Sequence, residues 1–93
     1  MIPLQSPAML TDYIRAAMRH AHYELMENGR FFGSIPRCRG AWGEGATLEE
    51  CRGELHGALQ CWILVGLRHG DELPVIDGID LNPHTHAEAD QVA

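Results

Sequence analysis

Residues 23–50, YELMENGRFFGSIPRCRGAWGEGATLEE, constrain the fold more than any other part of the chain. Asn28-Gly29 is the preferred pair for a type I′ turn, whose two central residues both need positive φ. A two-residue loop there predicts Glu27 opposite Arg30, Met26 opposite Phe31, Leu25 opposite Phe32 and Tyr23 opposite Ser34. That register places Met26, Phe31 and Ile35 on one face and Tyr23, Leu25 and Phe32 on the other. Both faces are then apolar and each needs a cover. Pro36 ends the second strand because it cannot donate to a ladder. Residues 40–45, anchored by Trp42, predict a short third strand. Thr47-Leu48-Glu49-Glu50 is a capping box, in which the threonine accepts from the Glu50 N–H and the glutamate reaches back to the Thr47 N–H.

The helix that starts at this cap is expected to run to about His69. Leu48, Cys51, Leu55, Ala58, Leu59, Trp62, Ile63 and Val65 form a broad apolar stripe along it, with Trp62 expected in the core. Arg68 and His69 suit the negative C-terminal end, and Gly70 suits the left-handed position beyond it. Upstream, Leu10, Ile14, Ala17, Met18 and Ala21 recur at helical spacing and predict a helix from about Asp12 to His20. A strand over 21–27 follows it. Leu73-Pro74-Val75-Ile76 could add a short edge strand. The expected fold class is α+β: an N-terminal helix, a three-stranded antiparallel sheet and a long helix packed on the sheet. A single domain is expected over 10–81, with an irregular arm before it and a disordered tail over 82–93.

The charge balance bears on partners. Seven arginines, no lysine and thirteen acids give a net charge of −6, so no direct nucleic-acid binding is expected of this chain. An acidic protein suits a basic protein partner. No apolar run approaches the roughly 20 residues of a membrane span, and the start of the chain lacks the pattern of a signal peptide. The chain reads as cytosolic, and its three cysteines as buried thiols.

Few residues suggest chemistry. His20-Ala21-His22 and His84-Thr85-His86 have the alternate spacing that lets a strand chelate a metal. No carboxylate or cysteine stands nearby at ligand spacing, so His20 and His22 are weak metal candidates and no cofactor is expected. Arg37 and Arg39 flank Cys38 and could lower its pKa, but no local histidine supplies a base. Gly40, Gly43 and Gly45 match no phosphate-binding loop. A binding module is the expectation rather than an enzyme.

The order of these signals resembles the HicB-like antitoxin family, also described as the partial ribonuclease-H fold. Tyr23, Asn28-Gly29, Phe31-Phe32, Pro36, Gly40 and Gly45-Ala46-Thr47-Leu48-Glu49-Glu50-Cys51 match the family pattern in order and spacing. Tyr13-Ile14, Ala17, Trp62 and Leu73-Pro74 are similar to a compact subgroup with an extra N-terminal helix. The resemblance implies a module that neutralises HicA, a small basic toxin that cleaves messenger RNA. Family members place an acidic or small residue and a second proline where this chain reads Arg37-Cys38-Arg39. Alternatives are a solitary regulator with no toxin, or a small metal-binding protein or enzyme using the histidines and Cys38. A homo-oligomer is expected. Contact candidates are Tyr23, Met26, Phe31, Phe32, Ile35, Arg37, Arg39 and Trp42.

Overall fold

A computed structural model describes residues 7–82; most of the expected arm and tail, and His84 and His86, lie outside the described residues. The elements run α1 (Pro7–Arg19), β1 (His22–Leu25), β2 (Phe31–Ser34), β3 (Trp42–Gly45) and α2 (Leu48–His69). The strands form an antiparallel sheet in the order β1-β2-β3, and α2 packs on one face of it. The α+β architecture is the expected one. The first helix begins earlier than expected, at Pro7, whose missing N–H suits the first helical turn.

Both ends of α2 follow local chemistry. Thr47 has extended backbone, and its hydroxyl accepts from Glu50 N at 3.0 Å. Glu50 Oε1 in turn accepts from Ala46 N, also at 3.0 Å, one residue before the position expected for the box. Gly70 closes the helix with φ 74°, and its N–H bonds the last turn.

The hairpin corrects the expected register. Met26 N donates to Arg30 O at 2.7 Å and Gly29 N to Met26 O at 2.9 Å. Of the loop residues only Gly29 has positive φ, 85°. Glu27-Asn28-Gly29 is therefore a three-residue loop, a turn followed by a left-handed glycine. Arg30 N donates to Asn28 Oδ1. The Arg30 guanidinium reaches Glu44 on β3 at 2.8 Å instead of Glu27.

One extra loop residue moves each partner by one and exchanges faces. Leu25 now faces Phe31, Glu24 faces Phe32, Tyr23 faces Gly33 and His22 faces Ser34. Tyr23, Leu25 and Phe31 thus share the helix side, and Phe32 lies on the other. The two-residue turn with both φ positive occurs elsewhere, at Asp77-Gly78 (50° and 81°). It bridges Ile76 and Ile79. Of residues 73–76 only Ile76 is bridged, to Ile79, and the segment does not join the sheet as an edge strand.

Gly43 and Gly45 explain how α2 approaches so closely. A β-carbon on Gly43 would stand 2.8 Å from Leu55 Cα, and one on Gly45 2.9 Å from the Glu50 carbonyl carbon. Backbone of helix and strand are in direct contact there, and Cys51 Sγ lies 3.6 Å from Gly43 O. Along α2 the buried residues are Cys51, Leu55, Leu59, Ile63 and Gly66. Leu48 and Val65, expected in the stripe, are exposed, and Trp62 is half-buried over Gly40.

The first helix lies beside α2. Its buried face is Tyr13, Ala16, Ala17 and Met18, rotated from the expected stripe so that Leu10 reaches solvent. Tyr13 is fully buried, and its hydroxyl donates to Pro74 O at 2.7 Å, 61 residues away. With Leu73, Ile76 and Leu81 it closes the core beyond the sheet. Burial pushes the Tyr13 phenol above its ordinary range, so it stays a neutral donor.

Candidate functional site

The sheet face away from α2 is open. His22, Glu24, Phe32, Ser34, Trp42 and Glu44 alternate onto it by strand periodicity and register. Phe32 and Trp42 sit diagonally across β2 and β3, and their rings stack with centroids 5.8 Å apart and planes 26° apart. Trp42 keeps 54% of its surface exposed. Glu24 projects from the neighbouring strand, and Glu44 flanks the stack, held by Arg30. The face is a small aromatic platform flanked by Glu24 and by the Glu44–Arg30 ion pair, not the second fully apolar face of the expected register.

The other contact candidates scatter. Ile35 is 1% exposed and has no surface to offer a partner. Tyr23 and Phe31 are half-buried on the helix side, and Met26 is half-buried at the hairpin end. Arg37 and Arg39 are exposed in the turn after β2, on either side of Cys38.

The candidates for chemistry do not converge. Cys38 is buried, and burial pushes its thiol up to about 11, outweighing the opposing effect of Arg37. The expected lowering by the flanking arginines is therefore corrected. Burial also raises the Cys51 thiol. Cys61, expected among the buried thiols, is exposed. His20 Nε2 lies 2.9 Å from Asp77 Oδ1, and Arg19 donates to the other oxygen of that carboxylate at 3.1 Å. His20 therefore faces the Asp77-Gly78 turn, while His22 stands exposed on the open face of the sheet. Among the described residues, no three His, Cys, Asp or Glu side chains gather where a metal ion could sit. No helix among them is long and apolar enough to cross a membrane.

Arginines do converge in one place that linear spacing hid. Arg15, Arg19 and Arg52 line a groove of about 290 Å³ between α1 and α2, with His56 beside them and Ile14 and Met18 at its apolar side. Asp12 and Asp77 neutralise two of the three. Opposite, a groove of about 440 Å³ runs between the β3 edge and α2, past Trp42, Gly53, Gly57 and Cys61.

A helix-backed three-stranded sheet whose open face carries a stacked aromatic pair defines a small α+β domain. The UPF0150-like family matches residues 12–74, and the chain belongs to it. This is a HicB-related, antitoxin-type family. The crystal structure of TTHA0281 from Thermus thermophilus is similar at a TM-score of 0.77 and 34% sequence identity. The match covers 85% of this chain and 100% of that one. No curated protein matches the chain.

Proposed function

We propose that the chain is a non-enzymatic, HicB-like antitoxin module that binds and neutralises a small basic RNA-cleaving toxin of the HicA type. The open sheet face is the contact surface in this reading. The observation that carries it is the stacked Phe32–Trp42 pair, with Trp42 54% exposed and Glu24 and Glu44 on the same face. An exposed tryptophan beside the carboxylate of Glu24, with Glu44 paired to Arg30 at its flank, has the character of an interface anchor for a basic partner. Membership of an antitoxin-type family and the net charge of −6 support the same reading.

Arg37 and Arg39 bear on a second reading. Both are exposed at one end of the platform, where they repel a basic partner that spreads past β2. If they exclude such a partner altogether, the chain is a solitary regulator. Affinity purification of the tagged chain from its native cells separates the two. The antitoxin reading expects a small basic protein retained by the wild type and by Leu64→Glu, but lost with Trp42→Glu. Recovery of the chain alone supports the solitary reading.

A further inference from the structure

The exposed side of α2 carries a pattern that neither the core nor the open sheet face uses. Taking Cys61 as zero and 100° per residue, Glu54, Gly57, Ala58, Leu64, Val65 and Arg68 all fall within about 60° of it. They form one stripe with heptad-like spacing. Leu64 is 60% and Val65 46% exposed, and Cys61, Gly57, Glu54 and Arg68 are exposed as well. The buried residues Leu55, Leu59, Ile63 and Gly66 lie on the far side of the helix. The stripe borders the groove beside β3, which opens along Glu54, Gly57, Ala58 and Cys61.

The stripe is complementary to itself in one arrangement. Two copies of α2 laid antiparallel about a two-fold axis at Cys61 bring together residues whose numbers sum to twice 61. Gly57 then faces Val65, Ala58 faces Leu64, Glu54 faces Arg68 and Cys61 faces its own copy. Each large apolar side chain meets a small one, so the helices can approach closely and interlock. Each exposed acid meets an exposed base, twice over by symmetry. The opposite, parallel arrangement would set Glu54 against Glu54 and Arg68 against Arg68. A closed two-fold contact requires this kind of reciprocity, in which residue i meets j and j meets i. Among the described exposed segments this self-matching of both size and charge distinguishes a second copy of the chain from an unrelated partner.

We infer that α2 is the interface of an antiparallel, two-fold homodimer centred on Cys61, formed through Gly57, Ala58, Leu64 and Val65 and registered by Glu54–Arg68 pairs. This surface meets the open sheet face at the groove that Trp42 and Glu44 line with Gly57 and Cys61. Leu64 and Val65 lie outside that groove, so their substitution tests the dimer independently of the antitoxin reading.

Two measurements on the full chain test it. Sedimentation or light scattering at micromolar concentration is expected to give about twice the 10.3 kDa chain mass. Leu64→Glu and Val65→Glu, both at exposed positions, should give folded monomers with unchanged circular dichroism. Glu54→Arg alone and Arg68→Glu alone each turn two attractive pairs into repulsive ones and should weaken the dimer roughly tenfold. The double variant Glu54→Arg/Arg68→Glu should restore it, an effect that no other surface would produce. Diamide should oxidise the two facing Cys61 thiols to an intersubunit disulfide, itself taking up the two hydrogens; Cys61→Ser should abolish that band. A monomeric wild type overturns the proposal, as does a dimer indifferent to these substitutions.

Discussion

The contact between α2 and the sheet gives the sharpest stability prediction. Gly43→Ala adds a β-carbon 2.8 Å from Leu55 Cα and 2.9 Å from the Glu54 carbonyl carbon. Both are backbone atoms, so no side chain can swing aside; α2 must lift from β3. Overpacking of this kind costs about 1–3 kcal/mol, and in a domain this small that lowers Tm by roughly 5–20 °C. Gly53→Ala is the internal control. It lies in the interior of the same helix with nothing within 4 Å of its added β-carbon. Removing a helical glycine should stabilise by about 0.5–1 kcal/mol, so thermal unfolding should move upward. Circular dichroism melts of the two variants decide the matter. A Gly43→Ala protein as stable as wild type would refute close backbone contact as the reason for glycine there.

Other perturbations have equally definite outcomes. Tyr13→Phe removes the bond to Pro74 O and leaves that carbonyl without its phenolic donor, a loss of about 1 kcal/mol readable by urea denaturation. The His20 and Arg19 hydrogen bonds hold the Asp77 carboxyl below its ordinary value near 3.8. Its contribution is therefore fully present above the unfolded-state pKa and is lost as pH falls through the lowered one. Asp77→Asn should flatten stability on that acid side. In thiol labelling of a reduced sample held as monomer by Leu64→Glu, Cys61 should react at once, and buried Cys38 and Cys51 only on unfolding; rapid labelling of Cys38 would contradict its burial.

Local chemistry was legible in the sequence wherever its partner is close in the chain. Thr47 and Glu50 are three residues apart, and Gly70 directly follows the last helical turn, so both ends of α2 could be read correctly. The hairpin register could not be, because Asn28-Gly29 suits a two-residue loop and a three-residue loop alike. What differs is the partner of Arg30, and that is Glu44, fourteen residues away. Asp77-Gly78 carries the same turn signal, but between single isoleucines, so nothing in the sequence alone sets it above Asn28-Gly29 as the two-residue turn. Tyr13 offered no signal, since its acceptor is a carbonyl 61 residues on. The glycines of β3 looked like a weak strand until the helix backbone was seen to press on them.

The candidate platform was half legible. Trp42 and Phe32 could be named, yet their stacking depends on the hairpin register and on the pairing of β2 with β3. Cys61 escaped because the apolar stripe of α2 is too broad to tell its sheet side from its exposed side. Only the placement of Leu55, Leu59 and Ile63 beneath the helix makes Cys61, Leu64 and Val65 an outward face.

Inhibition of RNA cleavage tests the central claim most directly. The small basic partner recovered with the chain should cleave RNA once released, and an equimolar amount of the wild-type chain should silence it. Trp42→Glu should fail to do so while remaining folded. Cleavage that continues unchanged in the presence of excess wild-type chain would contradict the antitoxin reading, and silencing by Trp42→Glu as efficient as by wild type would remove the open sheet face from it.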